Sequence, residues 1–381
     1  MSDKFTIVVA GLPHTHLTTE YSSDAYQSKV RNFAIMMARI GYKVITLGGE
    51  DCDIIEEGHS HVPIITKKEQ EKFFGDPLAY KKTMYNLTWE PSDAHWQLYN
   101  KRTITFLQDY IQEHPDEDVL FGVLAGYCQK QVTDALPNLI APELFIGYTG
   151  VYSPYKVFES ITHQHYVYGE HHDDDGKFYD AVIPPYHPKE QFPFAVKRGD
   201  KKGNYLLYIG RLIDRKGYNI AQQVAEKLEK RLIIAGQLNE GQTFTGYGEY
   251  IGTIGVKERG RLMSRADAVL MPTTYLEPGG NVHVESLLSG TPVITTNFGI
   301  FAQTVLQGVD GYRCNTFGDF LEAVRRTENF TTAQRRVIRK RAQERFALEP
   351  VALQFDAYLS RLHDLKTDGW YNPSHHLDHL A

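Results

Sequence analysis

Short apolar runs that end on glycine or proline, each followed by a helical pattern, recur through this chain in two sets. Residues 5–10 (FTIVVA) are continuously apolar and stop at Gly11, the pattern of a buried parallel strand running into a loop. Val30, Phe33, Ala34, Met37 and Ile40 then recur at spacings of three and four, and Gly41 closes that helix. Residues 42–47 make a second strand, completing a βαβ unit, the building block of a doubly wound sheet. Residues 76–113 are polar, aromatic and mostly helical in pattern. Further strands are predicted at 119–124 and 144–147, a helix over 154–169, and a last strand at 181–185 stopped by Pro184 and Pro185.

Residues 191–204 (QFPFAVKRGDKKGN) then lose all periodicity and read as a linker between domains. After them the pattern restarts: strand 205–209, helix 217–228, strand 231–235, helix 256–264, strand 268–271, helix 282–288, strand 292–296. From about 317 the chain is helical to near 365, with a break around 329–331, and it ends in a polar, histidine-rich tail at 374–381. The expectation is an α/β protein with domains at 1–190 and 205–345, a linker at 191–204, and a C-terminal helix and tail at 346–381. A shared ligand belongs in the cleft between the domains, near the carboxyl ends of the strands.

A length of 381 residues and 42% hydrophobic content leave enough apolar side chains for two cores and exclude a disordered or low-complexity chain. The net charge of −6 at pH 7 shows no basic excess of the kind that marks a nucleic-acid binder. The charge is unevenly spread: residues 1–190 carry −11 and residues 191–381 carry +5. Three scattered cysteines, Cys52, Cys128 and Cys314, form neither a disulfide framework nor a CxxC site. With no signal peptide and no run long enough for a membrane span, the expected location is the cytoplasm.

Two loops of the second set carry chemistry. Gly210-Arg211-Leu212-Ile213-Asp214-Arg215-Lys216-Gly217 leaves a strand and enters a helix, a turn that points N–H groups toward an anion, with Arg211 and Lys216 as cations beside it. Glu277-Pro278-Gly279-Gly280-Asn281-Val282-His283-Val284-Glu285 follows a strand and starts a helix. The paired glycines allow close backbone approach, and the two carboxylates can each accept bonds from vicinal hydroxyls.

Together with Gly290-Thr291-Pro292-Val293, these segments resemble the retaining family-4 glycosyltransferases of GT-B fold, which carry a Glu-x7-Glu motif. The resemblance is close over 205–313 and looser over 3–47. It implies two Rossmann-like domains facing across a cleft, with C-terminal helices packing back on the first. It further implies a hexose moved from a nucleotide diphosphate sugar, a UDP-sugar above all, to an acceptor hydroxyl of a glycan or small molecule. Arg211, Lys216 and Glu277 would be the catalytic set. Arg211 and Lys216 would bind the diphosphate and neutralise the leaving group, and Glu277 would hold hydroxyls of the transferred sugar. Gly279, Gly280, Asn281 and Val282 would complete the donor site, and Glu285 would hold the ribose hydroxyls. No metal or other cofactor is implied.

The chain departs from the family in three places. Gly279 stands where an aromatic is common. Ser22-Ser23-Asp24-Ala25 replaces a glycine pair at the first helix start. Ile146-Gly147-Tyr148-Thr149-Gly150 stands where many members have a histidine.

Gly11, His14, His16 and Asp24, in the loop after the first strand, are candidates for acceptor or phosphate contact. His163 and His165 lie in a predicted helix, where one could face the cleft. The segment from His171 to Gly176 reads as an exposed turn, and Asp51-Cys52-Asp53 as a chance match to a metal motif. Three further readings stay open: glycosylation of a macromolecule such as a modified DNA base by a viral or bacterial enzyme, a nucleotide-sugar epimerase or phosphorylase, and a nucleotide-sugar-binding protein without turnover. The acidic first half disfavours a polyanionic acceptor and an anionic membrane surface.

Overall fold

The computed structural model describes residues 4–22, 24–76, 88–175, 179–239 and 241–368. The expected histidine-rich tail, Gly176, and residues 77–87 of the segment expected to be helical lie outside the described residues. The first half contains β1 (Thr6–Ala10), α1 (Ala25–Arg39), β2 (Lys43–Gly48), β3 (His59–Pro63), α2 (Lys67–Phe74), α3 (Ala94–Glu113), β4 (Val119–Gly122) and α4 (Lys130–Ala135). It continues with β5 (Glu143–Ile146), β6 (Lys156–Phe158), α5 (Ile161–Glu170) and β7 (Asp180–Val182). The strands are parallel, in the orders β3-β2-β1-β4 and β5-β6-β7. Bridges at Leu120–Ile140 and Val123–Glu143 connect β4 to the start of β5, so the two sheets follow one another.

The second half repeats this plan with β8 (Leu206–Ile209), α6 (Tyr218–Lys227), β9 (Leu232–Ala235), β10 (Glu249–Tyr250), α7 (Val256–Arg265), β11 (Ala268–Met271) and α8 (Asn281–Leu288). Then come β12 (Val293–Thr296), α9 (Phe301–Thr304), β13 (Gly311–Cys314), α10 (Phe317–Thr327), α11 (Thr332–Phe346) and α12 (Leu348–Asp368). Its sheet is parallel in the order β10-β9-β8-β11-β12-β13. In each half the order reverses between the first and fourth strands, and the crevice beyond their carboxyl ends is where such sheets bind ligands.

The apolar runs explain the central strands. Ile7, Val8, Val9, Leu120 and Phe121 are wholly buried, as are Leu207, Ile234, Val269, Leu270, Val293 and Ile294. Asp24 starts α1 by accepting a bond from the Gln27 amide at 2.9 Å, as an N-cap should. Thr331 and Gln334 form a capping box that restarts the helix after the break at 329–331.

One expectation needs correction, and the expected linker can be placed. Residues 154–169 do not form one helix: Lys156–Phe158 pair with both β5 and β7 as a strand, and the helix starts only after Ser160, whose side chain caps it. Residues 191–204 are packed along the second half. Phe192 is wholly buried in its core, Arg198 pairs with Asp267 at 3.0 Å, and Asp200 pairs with Arg231 at 2.7 Å.

The last helix crosses back. Val351, Ala352, Phe355, Tyr358, Leu359 and Leu362 of α12 belong to the first half's core, whereas Ile338, Ala342 and Phe346 of α11 belong to the second's. The crossing is made at Ala347, which is extended (ψ 162°) and breaks the helical path, with Pro350 in the first turn of α12. Among the described residues no helix is long and apolar enough to cross a membrane.

Candidate active site

Carboxyl ends of strands from both halves face one cavity of ≈ 1220 Å³. That exceeds the roughly 300–1,000 Å³ of an ordinary ligand pocket, so there is room for more than one small molecule. Its second-half wall consists of the loops after β8 and β11. Gly217 joins them, at φ +76°, with its Cα so close to the next loop that a Cβ would lie 2.0 Å from the Pro272 carbonyl oxygen. Only glycine fits that conformation and that approach. The Thr274 amide donates to the Arg215 carbonyl at 2.9 Å and ties the two loops together, while the Tyr208 hydroxyl donates to the Arg211 carbonyl at 3.2 Å within the first of them.

The residues expected at a donor site converge here. Arg211, Lys216, Glu277, Gly279, Gly280, Asn281, Val282 and Glu285 all line the cavity. The Lys216 ammonium donates to Glu277 Oε2 at 2.6 Å, and the Tyr275 hydroxyl reaches the same oxygen at 2.7 Å. Burial alone would push the Glu277 carboxyl up, but Lys216 and Tyr275 outweigh it and hold the group below its ordinary range as an anion. The same lysine lies 4.8 Å from the centre of the Tyr275 ring, and the Arg215 guanidinium lies 4.9 Å from it. One aromatic ring therefore orients both cations at the cavity wall.

Glu285 is held by a cation of its own. Arg259 of α7 grips both its oxygens, at 2.8 and 3.1 Å, and also donates to the Ser22 carbonyl at 3.3 Å. The arginine thus connects the two walls. A carboxylate has acceptor capacity beyond a bidentate partner, but the charge of this one is already balanced.

The first-half wall includes the end of the loop after β1, the turn after β5 and the residue after β6. Asp24 lines the cavity, with His14 Nε2 3.4 Å from the carboxylate oxygen that does not cap α1. Gly11, His14 and His16 do not line it. The Gly11 amide donates to the Leu47 carbonyl at 2.7 Å and so stays tied to β2. His14 is buried against Phe74, and His16 accepts a bond from the Asp51 amide at 3.0 Å. The two histidines hold the loop together from behind rather than presenting groups to a ligand. Asp51 and Asp53 are likewise taken up, by Lys67 at 2.9 Å and Arg31 at 2.6 Å.

Two cavity groups, Glu159 and His187, escaped the sequence reading, and a third, His163, is the one of the pair His163 and His165 that lines the cavity. Glu159, directly after β6, is buried and accepts from Lys29 Nζ at 2.8 Å. His163 of α5 donates or accepts at the Tyr148 carbonyl through Nε2 at 3.1 Å, and burial pulls its pKa down to about 4, while His165 on the same helix is exposed. His187, also buried and held at about 4, lines the cavity where the chain passes between the halves. A lysine in the middle of a helix pattern and a glutamate before a serine give no local sign of such a role.

Residues 190–345 match the family model described as glycosyl transferases group 1. Glycogen synthase of Mycobacterium tuberculosis is 30% identical over 138 residues, covering 32% of this chain. The match spans only 33% of that relative's length. The likeness of the whole chain is to solved structures. Sucrose-phosphate synthase from Thermosynechococcus elongatus superposes over 94% of this chain and 99% of its own, with a TM-score of 0.69 at 15% identity. Anabaena HepE, in complex with UDP and glucose, superposes over 93% of this chain and 99% of its own, with a TM-score of 0.61 at 12% identity. At these identities the likeness establishes the fold, and that fold is GT-B. The group 1 segment contains the loops after β8 and β11, so the motif-bearing wall of the cavity lies within the matched residues.

Proposed function

We propose that this protein is a retaining, metal-independent glycosyltransferase of family 4 that moves a hexose from a nucleotide diphosphate sugar, with UDP as the nucleotide, to a hydroxyl of a glycan or small molecule in the cytoplasm. The observation that carries the reading is the Lys216–Glu277 pair on one cavity wall. It combines a cation suited to a diphosphate with a buried carboxylate suited to sugar hydroxyls, at the carboxyl ends of β8 and β11. The group 1 match over these loops and the GT-B likeness to a protein solved with UDP and glucose support the same reading.

In this reading Arg211 and Lys216 hold the diphosphate, assisted by the backbone at Gly279, Gly280, Asn281 and Val282 where α8 begins. As the bond from the anomeric carbon to phosphate oxygen breaks, the charge that gathers on the diphosphate meets cations already in place. The acceptor oxygen bonds to the same face of that carbon, and its proton passes to the departing phosphate oxygen. Glu277 fixes the sugar's orientation through its hydroxyls. Lys216 serves both neighbours, since it can hold Glu277 and a phosphate oxygen at once with its three N–H groups. Glu285, balanced by Arg259, contributes remaining acceptor capacity to the ribose.

The acceptor would enter from the first-half wall, where Tyr26, Trp89, Tyr127, Tyr148 and Tyr166 line the cavity. Aromatic faces suit a neutral sugar or an apolar aglycone better than a polyanion. Thermal-shift measurements with UDP, GDP, ADP and their glucose or mannose conjugates test the donor. Stabilisation by at least one conjugate is expected, and none by any of them would sink the proposal. Glu277→Ala should reduce release of nucleotide from the active conjugate, in the presence of an acceptor panel, by at least about 100-fold. An unchanged rate would remove Glu277 from its assigned role.

A further inference from the structure

The space beside Gly279 is filled from across the cleft. A Cβ built on Gly279 would lie 2.2 Å from Glu159 Oε2 and 2.9 Å from Oε1, so the carboxylate occupies the volume that any side chain at 279 would need. Glu159 belongs to the first half and Gly279 to the loop that carries Glu277. Glu159 also has Gly147 at its other side, where a Cβ would lie 3.5 Å from Oε2, so it is set into a slot between two glycines. Lys29 fixes it there at 2.8 Å, and the Lys29 ammonium in turn lies 4.7 Å from the centre of the Tyr26 ring. All five groups, Glu159, Lys29, Tyr26, Gly147 and Gly279, line the same cavity as Lys216 and Glu277.

Packing alone is a poor reason for this arrangement. An ordinary apolar side chain at 279 would fill the slot without a buried charge, whereas a buried ion pair is often no better for stability than apolar residues of the same volume. Burial pushes the Glu159 carboxyl up against the opposing pull of Lys29, and Glu277 is near enough to push it further. Two carboxylates therefore face the part of the cavity next to the Gly279–Gly280 loop, each held by one lysine. Groups that can satisfy both are hydroxyl donors, while a carboxylate has no hydrogen to offer either and would have to compete with them for the two lysines.

We propose that Glu159 is a sugar-specificity residue, a contact from the first domain that replaces a side chain at 279, and that the pair Glu159 and Glu277 selects a neutral, hydroxyl-rich hexose over a hexuronate. This rests on the donor reading above and names the sugar class for the same site. Because the contact comes from the opposite half, the sugar is read only when the two halves are together, as they are here.

Isothermal titration of the full-length protein with UDP, UDP-glucose and UDP-glucuronate, and with GDP/GDP-mannose and ADP/ADP-glucose as controls for the base, tests this. For the nucleotide that binds, the gain in affinity of the hexose conjugate over the bare nucleoside diphosphate is the quantity to follow. Glu159→Gln should cut that gain by about tenfold while leaving the affinity for the bare diphosphate within about twofold. Because this change leaves Lys29 without its counter-ion, the double variant Lys29→Gln/Glu159→Gln, which removes both charges, should show the same selective loss. Gly279→Ala should weaken the hexose conjugate in the native background, but should add little in a Glu159→Ala background, where the clash is gone. The proposal is overturned if Glu159→Gln or the double variant keeps the full gain, if UDP-glucuronate binds as tightly as UDP-glucose, or if the 159 and 279 effects simply add. Failure of every nucleotide and conjugate to bind the native protein would instead overturn the donor reading on which it rests.

Discussion

Gly217 shows how a single position can hold the site. It stands at φ +76° with its Cα against the Pro272 carbonyl, where a Cβ would sit 2.0 Å away. Alanine there would face both the left-handed backbone penalty and a clash with backbone that cannot swing aside. Gly217→Ala should therefore lower stability by about 2–3 kcal/mol. It should also separate the loop carrying Lys216 from the loop carrying Glu277, so that nucleotide affinity falls together with the denaturant midpoint. Urea unfolding and a nucleotide titration on the same variant check this; a loss below about 0.5 kcal/mol would mean the two loops are not locked together. Much of this wall was legible in the sequence because each half of it is a contiguous motif. The other wall was not. Lys29 sits among the apolar positions of α1, Glu159 follows a three-residue strand, and Arg259 lies in a helix whose neighbours are mostly charged. What makes them site residues is their meeting across the fold, and no local spacing carries that.

At the scale of elements, α12 is the piece whose position in the chain and position in space disagree most. It follows the second half's last helix, yet its buried face belongs to the first half's core. Phe355 contacts Phe33, Phe145 and Tyr186 edge-on, at ring separations of 5.0, 6.3 and 5.8 Å. Asp356 ties the same helix to Lys4 at 3.1 Å and to the Tyr42 hydroxyl at 2.9 Å. Removing a fully buried aromatic side chain leaves a cavity, so Phe355→Ala should cost about 3–5 kcal/mol. Hydrogen exchange should show the loss in β1, β2 and α1 first, with β8 and β11 retaining protection. Equal loss in both halves would show that the two cores unfold as one. The strands that sequence periodicity revealed are those with continuous apolar runs, β1, β2, β4, β5, β7, β8, β9, β11 and β12. It missed β3 (HSHVP), β10 (EY) and β13 (GYRC), which are edge strands half open to solvent and carry no such run. It missed β6 because Lys156–Phe158 is too short to show a period before α5 begins.

For the whole molecule, the histidines set how the fold responds to acid. Burial holds His163, His187 and His283 near a pKa of 4, against an ordinary value of 6.5 in an unfolded chain. They are placed where the two halves and the cavity meet: His163 touches the turn after β5, His187 pairs its backbone with Phe346, and His283 bonds Thr304 beside α8. Above pH 6.5 these groups are neutral in both folded and unfolded chains and stability does not depend on them. As pH falls below 6.5 the unfolded chain takes up protons that the folded chain refuses, so stability drops, and the drop continues until the folded groups also protonate near pH 4. At pH 5 each buried histidine accounts for about 2 kcal/mol of that loss. Glu69 and Glu117, held near a pKa of 2, add to it only once the pH is below about 4.5, where their unfolded counterparts begin to protonate. The two sets are therefore separable by pH. Urea unfolding of the native protein should be level from pH 8 to 7 and fall between 6.5 and 5, with Glu143, Glu159, Asp180 and Asp267, whose carboxyls burial pushes up, taking up protons in the folded chain and offsetting part of the histidine loss. His187→Asn, which cannot take a proton, should recover about 2 kcal/mol at pH 5 and flatten that segment only in part, since His59 is also held near 4 and burial lowers His16, His61 and His95 as well. A native protein equally stable at pH 8 and pH 5 would mean that these side chains can reach water and charge without unfolding, and that the junction between the halves opens in the folded state.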